Sequence, residues 1–197
     1  MAVMERVAQA IAGQQFDLIA ALLDRAELES ASPAVLAANW PHAVHLLGHI
    51  YNKQLEDARF VWKRIPAGVK QDNPELEAVW RLLQYMWQRQ YQGMWQAMQA
   101  YTWSPQLQPL MHALADKVRA ELLDLLSTAY STVRPAKVAS ICGLTEQEAY
   151  AACSAAGWLW DETKGTFSPL VRTTPVQEDG QHATLKQLGE YTWHLEQ

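Results

Sequence analysis

The feature that most restricts the fold of this chain is a weak internal repeat in its front half. Placing Phe16, Leu55 and Tyr91 in register, at spacings of 39 and 36 residues, also aligns three other sets. Val7, Leu46 and Leu82 coincide upstream, then Ile11, Ile50 and Met86, and then Gln15, Gln54 and Gln90 just before the anchors. The segments after the anchors, FDLIAALLDRA, LEDARFVWKRI and YQGMWQAMQAY, keep apolar residues three and four apart, the period of a helix with one buried face. Each unit therefore reads as a helix, a polar turn (GQQ, NKQ or QRQ) and a second helix. A unit of this size cannot bury its own apolar face, so the units must stack.

The two-helix unit matches a tetratricopeptide-like array. Prolines punctuate it: Ser32 with Pro33, Asn73 with Pro74 and Ser104 with Pro105 each pair a capping residue with a proline at the first helical position. Pro41 and Pro66 mark further breaks. From Leu107 a long amphipathic helix is expected, with Leu110, Leu114, Val118, Leu122, Leu125 and Leu126 on its apolar stripe.

Residues 130–172 predict a winged helix. Ser131 or Thr132 is expected to cap a first helix through RPAKVASIC, ended by Gly143. Thr145 and Glu148 form a capping box for TEQEAYAACSAA, stopped by Gly157. WLW (158–160) and TFSPLV (166–171) read as two strands around a turn at Gly165. RTTPVQEDGQHA then reads as a linker, and the last stretch as a helix with Leu185, Leu188, Tyr191, Thr192 and Leu195 on one face. Burying the three leucines and the tyrosine at about 2 kcal/mol each gives a gross gain near ~8 kcal/mol, enough to dock a tethered helix on a partner or back on its own repeats. The expected organisation is helical repeats over 1–106, connecting helix and winged helix over 107–172, and linker and assembly helix over 173–197. The fold class is mainly α.

Composition narrows the chemistry. Sixteen Lys and Arg against 21 Asp and Glu give a net charge of −5, without the basic excess that phosphate backbones or anionic membranes require. The second helix of the winged helix holds Glu146 and Glu148 and no Lys or Arg, which would repel DNA phosphates in the major groove. The N-terminus, MAVMERVAQAIAGQQF, lacks the uninterrupted apolar run of a signal peptide, and no stretch approaches the ~20 apolar residues of a membrane span. Cys142 and Cys153 suit two buried free thiols. The nine Trp are scattered, which favours helix interfaces over a ligand cage.

His42, His45 and His49 share a helix face, but HLLGH lacks the glutamate of a metalloprotease motif, and the reading preferred is a packing face. No two histidines stand two apart, so the HxH of isopeptide-cleaving metalloproteases is missing. Phosphate-loop, dinucleotide and nucleophile-elbow motifs are also missing. No catalytic residue, cofactor or metal is expected.

Helical repeats, a connecting helix, a winged helix and a terminal helix form the order of PCI-domain proteins, the scaffolds of the proteasome lid, an initiation factor and the COP9 signalosome. The chain resembles the signalosome branch in WPHAVHLLGHIY (40–51), DARFVWKRIP (57–66), YQGMWQAMQAYTWS (91–104), LLSTAYSTV (125–133), GLTEQEA (143–149) and EYTWHLE (190–196). The resemblance implies a non-catalytic scaffold, in cytoplasm and nucleus, whose partners are other PCI subunits and the subunits containing the isopeptidase. It also implies that Thr166, Phe167 and Leu170 supply an edge strand and that Leu185, Leu188, Tyr191 and Leu195 face a bundle of terminal helices. No nucleic acid, membrane or small-molecule substrate is implied. A lid or initiation-factor subunit and a DNA-binding winged helix are the alternatives.

Overall fold

The computed structural model describes residues 2–29 and 40–169. The first repeat is α1 (Ala2–Ala12) and α2 (Asp17–Glu29), and the second is α3 (His42–Tyr51) and α4 (Leu55–Arg64). A short α5 (Ala67–Asp72) precedes the third, α6 (Pro74–Trp87) and α7 (Tyr91–Ala100). The long helix α8 (Gln108–Ala129) leads into α9 (Pro135–Cys142), α10 (Glu146–Ala155) and a hairpin of β1 (Leu159–Asp161) and β2 (Thr166–Ser168). The described residues are mainly α, in a PCI-like order.

The three turns of the repeat are built alike. Gln14, Lys53 and Arg89, one position before the aligned glutamines, all lie in the left-handed region, at φ 55, 60 and 54°. Gln15, Gln54 and Gln90 then donate their backbone N–H to the carbonyls of Ala10, His49 and Tyr85, while Gln14, Lys53 and Arg89 donate to Ile11, Ile50 and Met86. This is the Schellman arrangement, which satisfies carbonyls that a helix end leaves open. It usually takes glycine; here three long polar side chains hold it.

α3 lies at the centre, against α2, α4, α6 and α8. Every residue from Ala43 to Ile50 is buried, as expected of a helix that is apolar nearly all round. Gly48 lets α2 approach closely, since a Cβ there would come within 3.2 Å of the Ala20 backbone nitrogen. Trp62 of α4 stacks on Trp80 of α6, with centroids 4.6 Å apart. One buried apolar cluster runs from Val7 to Phe167.

Asn73 accepts the Leu76 N–H at 3.0 Å ahead of Pro74, and Thr145 and Glu148 close their capping box, as expected. Other expectations are corrected. α8 starts at Gln108 with Pro109 in its first turn, because Pro105 sits in a preceding turn closed by the Leu107 and Gln108 amides on the Ser104 carbonyl. Leu125 is exposed; the buried stripe runs through Leu122 and Leu126. Neither Ser131 nor Thr132 caps α9, whose cap is Arg134 with Pro135 following, because Val133 is held in an extended pairing. α5 is additional to the expected elements; Pro66 and Pro74 leave room for a single short helix between them. Ser32 and Pro33 lie outside the described residues.

The shared turn geometry yields a test. Arg89→Gly removes the left-handed strain and should raise stability by up to about 1 kcal/mol, whereas the β-branched Arg89→Val should lower it by about 1–2 kcal/mol. Urea unfolding of the two variants checks the order.

Candidate interaction surface and a buried histidine cluster

Trp95 of α7 joins the repeats to the helix–helix–hairpin module. Its Nε1–H donates to the Ile141 carbonyl at 2.8 Å, one of the carbonyls left open at the end of α9. The indole lies against Gly143, whose left-handed φ of 62° ends that helix. A Cβ on Gly143 would lie 2.3 Å from the ring. From α8, the Arg119 guanidinium sits 4.9 Å from the ring centroid, a cation–π contact. Cys142 and Cys153 are free and buried inside the module, and burial pushes both thiols up to about 11, so they stay protonated and inert.

The hairpin is part of a slightly larger sheet. β1 and β2 pair antiparallel, with Trp160 opposite Phe167, and Phe167 exchanges both backbone hydrogen bonds with Val133, each at 2.8 Å. β2 is therefore central. Because the amide and carbonyl of Phe167 face Val133, the Trp160–Phe167 pair is the non-hydrogen-bonded kind, and the backbone N–H and C=O of Trp160 point off the outer edge of β1. Among the described residues nothing pairs with that edge. Beside it Leu159 is 64% exposed, Trp160 37% and Tyr150 of α10 42%. The Tyr150, Trp160 and Phe167 rings pack mutually, with centroids 4.8–5.2 Å apart, so the patch is apolar and fixed in shape.

A polar cluster lies within the repeats, between α2 and α3. Asp24 of α2 meets His45 and His49 of α3: Asp24 Oδ1 is 2.9 Å from His45 Nε2 and 3.2 Å from His49 Nε2, and the two Nε2 atoms are 3.2 Å apart. Trp40 Nε1–H donates to His45 Nδ1 at 3.3 Å, which leaves the proton of a neutral His45 on Nε2, facing Asp24. His49 Nδ1 faces Gln54 Oε1 at 3.1 Å, so that nitrogen carries a proton. Burial lowers His45 to about 4 against the opposing pull of Asp24, keeping the ring neutral at ordinary pH. His45 and His49 do pack in a helix face; His42 is only half-buried and stands outside the cluster.

Of the residues expected to bind partners, Phe167 is fully buried and joins the module's core, and Thr166 is half-buried beside it. The open edge expected of residues 166–170 belongs, over the described residues, to β1, because Val133 occupies the far side of β2. Leu170, Leu185, Leu188, Tyr191 and Leu195 lie outside the described residues. The sequence carries no local signal for Val133 as a third strand, Trp95 as a clamp or Asp24 as a histidine partner. Each acts across more than twenty positions of chain.

Comparison with known proteins places these features in a family. The CSN8/PSMD8/EIF3K family matches residues 37–177. A protein of Arabidopsis thaliana named COP9 signalosome complex subunit 8 is 34% identical over 191 residues, covering 96% of this chain and 97% of its own. Proteins of the same name from Danio rerio and Drosophila melanogaster are 30% identical (85% of this chain, 88% of theirs) and 26% identical (75% and 81%).

Two glycines with the same backbone conformation separate strain from packing. Gly165 has φ 61° with open space around its Cβ position, whereas Gly143 faces Trp95. Gly165→Ala should cost about 1 kcal/mol, and Gly143→Ala about 3 kcal/mol because the clamped indole must also shift. Denaturant unfolding of both variants measures the difference.

Proposed function

Because this chain belongs to the CSN8/PSMD8/EIF3K family, we propose that it is a non-catalytic scaffold subunit of the signalosome, the complex that removes the ubiquitin-like modifier from cullin–RING ligases. The shared name of its relatives supports membership of that complex. The observation that carries the scaffold role is the unpaired edge of β1, flanked by Leu159, Trp160 and Tyr150 and held rigidly on the repeats through Trp95. An open edge with an apolar flank is the geometry that adds a neighbour's strand. Two short strands alone leave that edge unprotected, and a PCI subunit lying alongside would cover it.

The module does not suit DNA. Glu146 and Glu148 open α10 and no basic residue follows them in the helix, so its field opposes a phosphate backbone. The terminal segment carrying Leu185, Leu188, Tyr191 and Leu195 supplies the second contact in this reading, a helix joining those of other subunits. The isopeptidase is brought by a partner.

Tagged full-length chain should recover several PCI subunits and an isopeptidase, identified by mass spectrometry. Leu159→Glu alters only a side chain exposed on the sheet and should leave stability within about 0.5 kcal/mol while reducing recovery of the partner beside β1. The quadruple alanine variant at Leu185, Leu188, Tyr191 and Leu195 should reduce recovery of the bundle partners. Unchanged recovery with both variants would overturn this reading. A chain ending at Arg172 should keep its cooperative thermal transition, since the described core ends at Phe167.

A further inference from the structure

Asp24, His45 and His49 form a ligand set with no part in the scaffold role. Their three ligand atoms converge on one point, with mutual separations of 2.9, 3.2 and 3.2 Å. An ion bonded to nitrogen and oxygen at about 2.0–2.2 Å needs ligand atoms roughly 3.0–3.3 Å apart, from octahedral to tetrahedral geometry. The set is already near that spacing. Two histidines one turn apart on a helix, joined by a carboxylate from the next helix, are donors that first-row divalent ions favour over calcium or magnesium. We propose that Asp24, His45 and His49 bind a divalent first-row transition-metal ion that staples α2 to α3.

The hydrogen-bond pattern supports a cation. With the Nδ1 proton of His49 directed to Gln54 Oε1, its Nε2 presents a lone pair to the Asp24 carboxylate oxygen 3.2 Å away. Both of these atoms are acceptors with only the His45 Nε2 proton to share, its nitrogen 2.9 Å from Asp24 Oδ1 and 3.2 Å from His49 Nε2, and a metal ion at that point satisfies all three ligand atoms. Gln54 then serves as the outer carbonyl that orients a metal-bound imidazole. The two histidines are buried, and Asp24, 43% exposed, leaves a side open for entry and for a water ligand. The nearby Arg64 acts electrostatically on His45 but is held by Glu27 at 2.8 Å.

One contact opposes loading. For Nε2 of His45 to bind a metal, the ring proton must pass from Nε2 to Nδ1, where it meets the Trp40 indole N–H that now donates to that atom. Binding therefore switches the His45 tautomer with no net change in its protons, and it breaks the Trp40 bond. Removing the indole N–H should strengthen binding, the opposite of its effect if the cluster only holds the helices together by hydrogen bonds.

The test uses the full-length chain stripped of metal with a chelator and titrated with Co2+, whose visible absorption reports imidazole and carboxylate ligation. One equivalent should bind saturably, quench Trp fluorescence, and raise Tm by about 5 °C at hundredfold excess over Kd. Asp24→Asn, at a half-exposed position that does not threaten folding, should weaken binding at least about tenfold. Trp40→Phe should tighten it, and Zn2+ should compete. The proposal is overturned by the absence of a one-to-one transition, by equal binding in Asp24→Asn, or by weaker binding in Trp40→Phe.

Discussion

The bond from the Trp95 indole to the Ile141 carbonyl is the contact on which the arrangement of the molecule depends. It lies where three parts meet: α7 brings the ring, α8 lays Arg119 over its face, and α9 offers both the carbonyl and the bare backbone of Gly143. No side chain fits between ring and glycine, so the module's distance and tilt are set by contact. A flexible connection would leave the open edge of β1 free to face any direction. The clamp gives it one.

Behind that junction stands a conventional source of stability. α3 is surrounded on all sides, and the apolar cluster continues from the first repeat into the hairpin without a polar seam. Among the described residues, the histidine cluster is the polar exception inside the repeats. Burying two imidazoles is unfavourable unless their nitrogens are matched; here Trp40, Asp24 and Gln54 match three of the four, and His49 Nε2 has only a share of the His45 Nε2 proton. The aromatic trio around Phe167 does comparable work for the hairpin, turning two three-residue strands into a fixed surface.

Local rules made most of the fold legible. The repeat register predicted the turns because the same backbone problem, ending one helix and starting another, recurs with glutamine at the same place. Thr145 with Glu148 and Asn73 with Pro74 were readable because each acts within four residues. Ser131 and Thr132 misled because the extended pairing of Val133 with Phe167, more than thirty residues away, decides the backbone there. Leu125 misled for a related reason: its spacing fits the stripe, but the neighbours that cover Leu122 and Leu126 do not reach it. The histidine spacing was visible, and Asp24, which gives that spacing its chemistry, was not.

The reach of the Trp95 clamp also sets an order in time. Its two partners lie 46 residues apart in the chain, and a ribosome adding about 5–20 residues per second needs several seconds to make the second after the first. The turns at Gln14, Lys53 and Arg89 close within six residues, so the repeats can form as they emerge. During that interval the Trp95 indole lacks the partner for its N–H and the backbone of Gly143 against its ring. The nascent chain therefore passes through a stage in which the side chain that later fixes the module is open to chaperones, and the appearance of α9 ends it.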